Sequence, residues 1–226
     1  MLNYFSKKDI ALWASSMVII IASFFAFDRS SYLTLAASLI GVTSLIFFAK
    51  GNPIGNVLMI IFSLIYGYIS FTFAYYGEVA TYMGMTLPMS VFSLVSWLRN
   101  PYKGKKSEVE INTVTKKEVP FMLLLTAVVT VVFYFALRYF GTANLIASTL
   151  SVTTSFAAAY LTFRRSQYFA LAYALNDLVL IVLWIMATLE DISYLSVIIC
   201  FAVFFVNDIY GFLNWRKMKK RQTYCQ

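Results

Sequence analysis

The sequence predicts an all-α membrane protein of eight transmembrane helices, with two parallel three-helix repeats joined by an inverting helix and one extra helix at the N-terminus. Three observations lead there. Only 12% of the 226 residues are charged while 61% are hydrophobic, against about 25% charged in an ordinary soluble domain. The apolar residues gather into eight stretches (10–27, 32–48, 54–76, 79–98, 119–140, 142–163, 168–189 and 194–215), and roughly 20 helical residues cross about 30 Å of hydrocarbon. With eight spans and the N-terminus inside, all but Arg29 and Arg138 of the 18 Lys and Arg residues fall on one side, the distribution expected of cytoplasmic loops.

Each stretch has its own justification. The first follows Lys7 and Lys8 and runs into Phe27-Asp28-Arg29, with no small-residue cleavage site, so it reads as a helix rather than a signal peptide. The second and third are separated only by "AKGNP", and the third and fourth by "GEV", which forces tight helical hairpins. A basic segment, "RNPYKGKKSEVEINTVTKKE", divides the fourth from the fifth. The sixth ends in Arg164-Arg165 and the eighth in the tail "RKMKKR".

The repeat rests on the ends of the fourth and eighth stretches, "SLVSWLRNPYKGKK" and "GFLNWRKMKKRQ". In each, an apolar helix closes on a Trp followed at once by basic residues, and each is preceded by an acidic hairpin, "YYGEVATY" or "LEDISY". The predicted organisation is an N-terminal arm and extra helix (1–31), a first repeat (32–98), a basic cytoplasmic loop (99–118), a linker helix (119–141), a second repeat (142–215) and a basic cytoplasmic tail (216–226). Parallel repeats are a recurrent transporter plan, with substrate held near mid-membrane at the repeat interface. Trp97 and Trp215 read as interfacial belt residues. Gly51, Pro53, Gly55, Pro88 and Gly211 are candidate hinges.

Composition also excludes classes. There is no His, and the two Cys, Cys200 and Cys225, lie in the eighth stretch and the tail. No metal-ligand spacing and no phosphate-binding loop occurs, so no metal or cofactor is expected. The basic segments are short and juxtamembrane, which suits a lipid surface and not nucleic acid. The predicted partners are the bilayer and a small-molecule substrate.

The chemistry sits where the apolar pattern is broken. "YFALAYALNDLVLIVLWIMA" carries Asn176-Asp177 at its centre, and "FAVFFVNDIYGFLNW" carries Asn207-Asp208. By helical rise, both pairs lie about 10 to 14 Å from the basic side. Ser63 and Tyr66 of the third stretch share that level, with Ser90 and Ser93 of the fourth and Thr153, Thr154 and Ser155 of the sixth. Tyr173, Asp177 and Trp184 fall on one helical stripe, and Asn207, Tyr210, Gly211 and Asn214 on another. A charged Asp at mid-membrane costs about 2.5–3.5 kcal/mol on insertion scales, and no Lys or Arg lies within these spans to offset it. The candidate substrate-binding residues are therefore Asn176, Asp177, Tyr173, Trp184, Phe169, Asn207, Asp208, Tyr210, Asn214, Tyr66, Ser63 and Ser93. Interhelical hydrogen bonding between the two Asn-Asp pairs is the competing reading. An intramembrane aspartyl-type enzyme and a proton-coupled carrier using Asp177 also fit the acidic residues.

"ALNDLVLIVLW", "YLSVIICFAVFFVNDIYGFLNWRKMKKRQ" and "YYGEVATYMGM…SWLRN" resemble the nicotinamide riboside transporter (PnuC) family of bacterial vitamin and nucleoside transporters, over residues from about 30 to 222. The resemblance implies a transporter, not an enzyme, in the bacterial cell membrane with both termini cytoplasmic, and self-association among its members. It implies facilitated uptake of nicotinamide riboside, trapped afterwards by intracellular phosphorylation. Relatives carrying thiamine, deoxynucleosides or riboflavin supply the alternatives. Members that carry nicotinamide riboside have a Trp-x-x-Trp pair before the span-seven Asn; counting back from Asn176, this chain has Phe169 and Ala172 there.

Overall fold

The computed structural model describes residues 4–72, 76–189 and 191–224. Glu190, Cys225 and residues 73–75 of the first acidic hairpin lie outside the described residues. Among those described, eight helical spans are long and apolar enough to cross a membrane. The protein is a multi-pass membrane protein.

The first span is α1 (Lys7–Ser23), extended by a π-helical turn, Phe24–Asp28. Its start is fixed by a capping box: the Ser6 hydroxyl accepts from the Asp9 amide, and the Asp9 carboxylate accepts from the Ser6 amide, so two otherwise orphaned donors are satisfied. Next come α2 (Tyr32–Ala49) and α3 (Ile54–Thr72). The fourth span is broken. It consists of α4 (Tyr76–Thr81), a π turn (Tyr82–Thr86) and α5 (Leu87–Arg99). Pro88 explains the break: a proline has no N–H to donate four residues back, and its ring crowds that carbonyl. The chain inserts one residue instead, and the Leu87 amide donates to Tyr82, five residues back.

A two-stranded hairpin, β1 (Pro101–Tyr102) and β2 (Lys105–Val109), follows α5. Then come α6 (Glu118–Tyr139), α7 (Leu145–Phe163), α8 (Phe169–Thr188) and α9 (Leu195–Tyr224). A 3₁₀ turn, Ile192–Tyr194, leads into α9 and is capped by Asp191, whose carboxyl is held below its ordinary range by the Ser193 amide. α6 buries only Thr126 and Leu137 fully, packing one face on α7 and leaving the other exposed. α9 packs against α8, α2 and α1.

Two departures from the sequence reading concern the basic end of the bundle. The basic tail is not a separate segment: α9 continues through it to Tyr224. Trp97 and Trp215 are not belt residues. Both are fully enclosed, and with Phe48 and Phe169 they form an aromatic cluster with ring centroids 4.8 to 6.3 Å apart. An indole at a helix end can face lipid headgroups or a neighbouring helix, and here each finds a carbonyl. The Trp97 Nε1–H donates to Thr162 at the end of α7 (2.8 Å), and the Trp215 Nε1–H donates to Phe48 at the end of α2 (2.7 Å).

The turns after α2 and α7 also match. Gly51 and Arg165 are both left-handed, with φ of 66° and 56°. Asn52 donates back to Phe47, and Ser166 back to Leu161. The segment after β1 spans both turns, because the Val109 amide donates to Gly51 (2.9 Å) and the Asn112 amide to Arg165 (3.0 Å). Gln222 of α9 clamps this segment through Ile111, Glu108 and Val109, and Arg221 pairs with Glu108.

Candidate functional site

The middle of α8 and α9 is where the buried acid lies. At Gly211 the helices pack at ordinary van der Waals distance: a Cβ there would stand 3.7 Å from the Ala170 Cβ of α8 and 3.8 Å from the Ala49 Cβ of α2. Farther along the same α8–α9 packing lie Asp177 and Asp208. Both are buried, 4% and 5% exposed, and each lies within electrostatic reach of the other. Asp177 Oδ2 is enclosed without a hydrogen-bond partner. Tyr173, one turn below Asp177, feels both carboxyl groups, and Cys200 of α9 feels Asp177. No Lys or Arg lies on the membrane-embedded lengths of α3, α7, α8 or α9.

Asn176 belongs to the wall of this site rather than its mouth. Its Oδ1 accepts from the Thr154 hydroxyl at 2.8 Å and from Ser151 at 3.5 Å, which fastens α8 to α7. The second pair divides differently. Asn207 turns to α1, donating to Ser16 Oγ (2.9 Å) and to its own Val203 carbonyl. Tyr210 does the same, donating to Asp9 at 2.6 Å. Asp9 is 1% exposed and is matched by Lys50 at 2.7 Å. Asn214 lies beside Tyr210. Asn207 and Tyr210 therefore form the seam with α1.

Other expected residues scatter. Phe169 is 1% exposed and sits inside the aromatic cluster, where its ring also meets Tyr173 at 6.4 Å. The cluster closes the basic end of the site. Trp184 is displaced toward the opposite end and packs on Tyr194 at 5.2 Å, so it does not join Asp177. Ser63 and Ser93 are fully enclosed, and Ser63 donates to Met59 of its own helix. Tyr66 is at the site's far side, against Phe62 at 4.7 Å and Tyr82 of the π turn at 5.1 Å.

Sequence reasoning missed four contributors here: Ser38, Glu78, Tyr82 and Cys200. Glu78 accepts from Ser70 at 3.0 Å and acts electrostatically on both Tyr66 and Tyr82. The Ser38 hydroxyl donates to the Thr34 carbonyl at 2.9 Å and lies beside Tyr66 and Cys200. A cavity of about 30 Å³ reaches Ser38, Tyr66 and Cys200 beside Asp28, about the space of one water. The Pro88 break was the available signal for Tyr82, since a π turn re-aims the residues it contains.

A profile of the nicotinamide mononucleotide transporter family matches residues 31–217. The chain belongs to that family. As a member it is a membrane transporter and not an enzyme. A nicotinamide riboside transporter PnuC of Neisseria mucosa is 25% identical over 218 residues, covering 94% of this chain and 82% of that protein. The corresponding protein of Haemophilus influenzae is 23% identical over 205 residues, covering 89% and 88%. A crystal structure of the vitamin B3 transporter PnuC superposes with a TM-score of 0.81 at 21% identity, covering 96% of this chain and 94% of that one. The family profile begins at residue 31, so α1, which holds Asn207 and Tyr210, precedes the matched segment.

Proposed function

We propose that this family member takes up nicotinamide riboside across the bacterial cell membrane, binding it between α8 and α9 beside Tyr173, Asp177 and Asp208. The observation that carries this is the buried carboxyl pair with no basic side chain beside it among the described residues. Nicotinamide riboside holds a permanent positive charge on its ring, which two acids can match and an aromatic phenol can stack. The same acids speak against the mononucleotide named in the family description, because a phosphate would meet carboxyl groups with no cation to receive it. The relatives named as nicotinamide riboside transporters support the same choice.

Uptake would be facilitated, and phosphorylation inside would then trap the product: the new phosphate could not re-enter an acid-lined site. The basic end would face the cytoplasm, placing both termini there. The reciprocal indole bonds, Trp97 to Thr162 and Trp215 to Phe48, support reading 32–98 and 142–215 as two equivalent three-helix units with α6 as the inverting link. The boundary between the units would then be the boundary that opens.

A second reading is favoured by one observation. Phe169 is sealed among Trp97, Trp215 and Phe48, and position 172 is Ala, so the two ring-clamping positions that precede Asn176 in nicotinamide riboside carriers offer no clamp here. Thiamine, also a cation, or a deoxynucleoside would then be the cargo. Calorimetric titration of the purified protein with nicotinamide riboside, thiamine, thymidine and nicotinamide mononucleotide decides between them. Nicotinamide riboside should bind, the mononucleotide should not, and Asp177→Asn should weaken cation binding at least tenfold. Binding of thymidine alone would overturn the cation reading.

A further inference from the structure

We propose that an anionic phospholipid from the leaflet at the basic end binds between α5, α6 and α7, with one acyl chain in a groove there and its phosphate on Arg164. α5 and α6 each pack on α7 and leave between them a groove of about 500 Å³. Phe156 and Tyr160 of α7, both buried, form its floor. Met89 and Phe92 of α5 and Phe121 and Leu125 of α6 form its walls. Phe92 and Phe121 are 56% and 58% exposed, so the groove opens outward, toward lipid. It shares no residue with the site around Asp177.

One end of the groove is polar and lies where the apolar spans stop, because Glu118 begins α6 and Arg164 caps α7. Both Glu118 oxygens are taken. Arg164 donates through Nε to Oε1 and through Nη2 to Oε2, the second at 2.9 Å, and the Tyr160 hydroxyl donates to Oε1 at 3.1 Å. The guanidinium is thereby held edge-on. It carries five N–H donors in a fixed fork, and two of them face Glu118. The other three meet no acceptor among the described residues, and the side chain is 36% exposed. Lys116 and Lys117, just before α6, are exposed as well, so the rim carries three cations against one acid. A basic rim between membrane-spanning helices favours an anionic headgroup, and the guanidinium fork matches phosphate oxygens.

The dimensions suit a chain and not a helix. From Glu118 to Leu125 along α6, and from Arg164 to Phe156 along α7, the rise is about 10 to 12 Å. That is within the roughly 15 Å of hydrocarbon in one leaflet. Spread over such a length, the groove has a cross-section of roughly 40 to 50 Å², about half of what a helix 10 Å across occupies. A helix from a second copy is too wide to seat in it. An acyl chain is narrow enough, and it would cover the exposed phenylalanine rings while its headgroup stays at the level of Arg164.

The test titrates the full-length protein, stripped of lipid in detergent, with dioleoyl phosphatidylglycerol or dioleoyl phosphatidylcholine, and reads bound lipid by native mass spectrometry. One phosphatidylglycerol per chain should be held about fivefold more tightly than phosphatidylcholine, the share of one juxtamembrane cation at an anionic headgroup. Arg164→Gln should erase that preference. Lys217→Gln, which removes an exposed cation from α9 at the same end, should keep it. Leu125→Trp fills the groove with Glu118 and Arg164 intact and should weaken both lipids, a readout that stands even if Arg164→Gln fails to fold. Equal binding of the two lipids to the unaltered protein would overturn the proposal, as would equal losses in Arg164→Gln and Lys217→Gln. So would a Leu125→Trp variant that dissociates an oligomer and leaves lipid binding unchanged, because the groove would then belong to a second copy. The cargo does not enter: a protein that binds thymidine and no cation loses the reading of the Asp177 site and keeps this one.

Discussion

At the scale of the residue, Gly211 and Asn176 mark where α8 packs against its neighbours. A Cβ at Gly211 would make only ordinary contacts, at 3.7 Å or beyond, so Gly211→Ala should fold and transport near normally. Gly211→Leu should separate α8 from α9 and abolish substrate binding, measured by calorimetry on protein that remains monodisperse. Thr154→Val removes the shorter donor to Asn176. Interhelical hydrogen bonds of this kind contribute about 0.6 kcal/mol on average, so a small fall in thermal midpoint is expected, with cation selectivity kept. The Asn-Asp doublets were legible as anomalies because nothing else in those stretches is polar. Their division of labour was not. Asn and Asp are adjacent in sequence and about 100° apart around a helix, so one faces α7 or α1 while the other faces its partner acid.

The broken fourth span carries the argument at the scale of the element. Replacing Pro88 restores a donor but leaves the inserted residue, so Pro88→Ala alone should preserve the π turn and change transport modestly. Deleting Gly84 removes the insertion. The turn then closes as regular α-helix, and Tyr82 loses the orientation toward Tyr66 that the π turn gives it. Transport should be lost while helix content by circular dichroism stays the same. If the deletion variant transports normally, the π turn has no part in the site. Eight apolar stretches were enough to place all eight spans, since length and hydropathy alone determine what can cross hydrocarbon. The expected hinges fare unevenly: Gly51 occupies a left-handed turn that glycine suits, whereas Gly211 lies within an unbroken helix and serves close packing.

Over the whole molecule, the basic end is tied shut across its centre. The hairpin segment bonds the turn after α2 through Val109 and the turn after α7 through Asn112, while Gln222 and Arg221 of α9 hold the segment itself. Gln222→Ala should release it. The amides of Val109, Ile111 and Asn112 should then lose protection in hydrogen exchange, by about tenfold or more, with α2 and α8 unaffected. Unchanged protection would mean that Arg221 and the hairpin suffice.

Hydrophobicity along the chain was sufficient for the membrane class, the eight spans and the level of the buried acids, because each depends on local composition and on helical rise. Whether Trp97 and Trp215 face lipid or each other depends on which helices adjoin, and that is settled only when the bundle closes. So too is the commitment of Asn207 and Tyr210 to α1, at the far end of the sequence. Side-chain orientation within a helix is periodic and readable. Its partner is not, because a partner is supplied by packing between segments that share no local pattern.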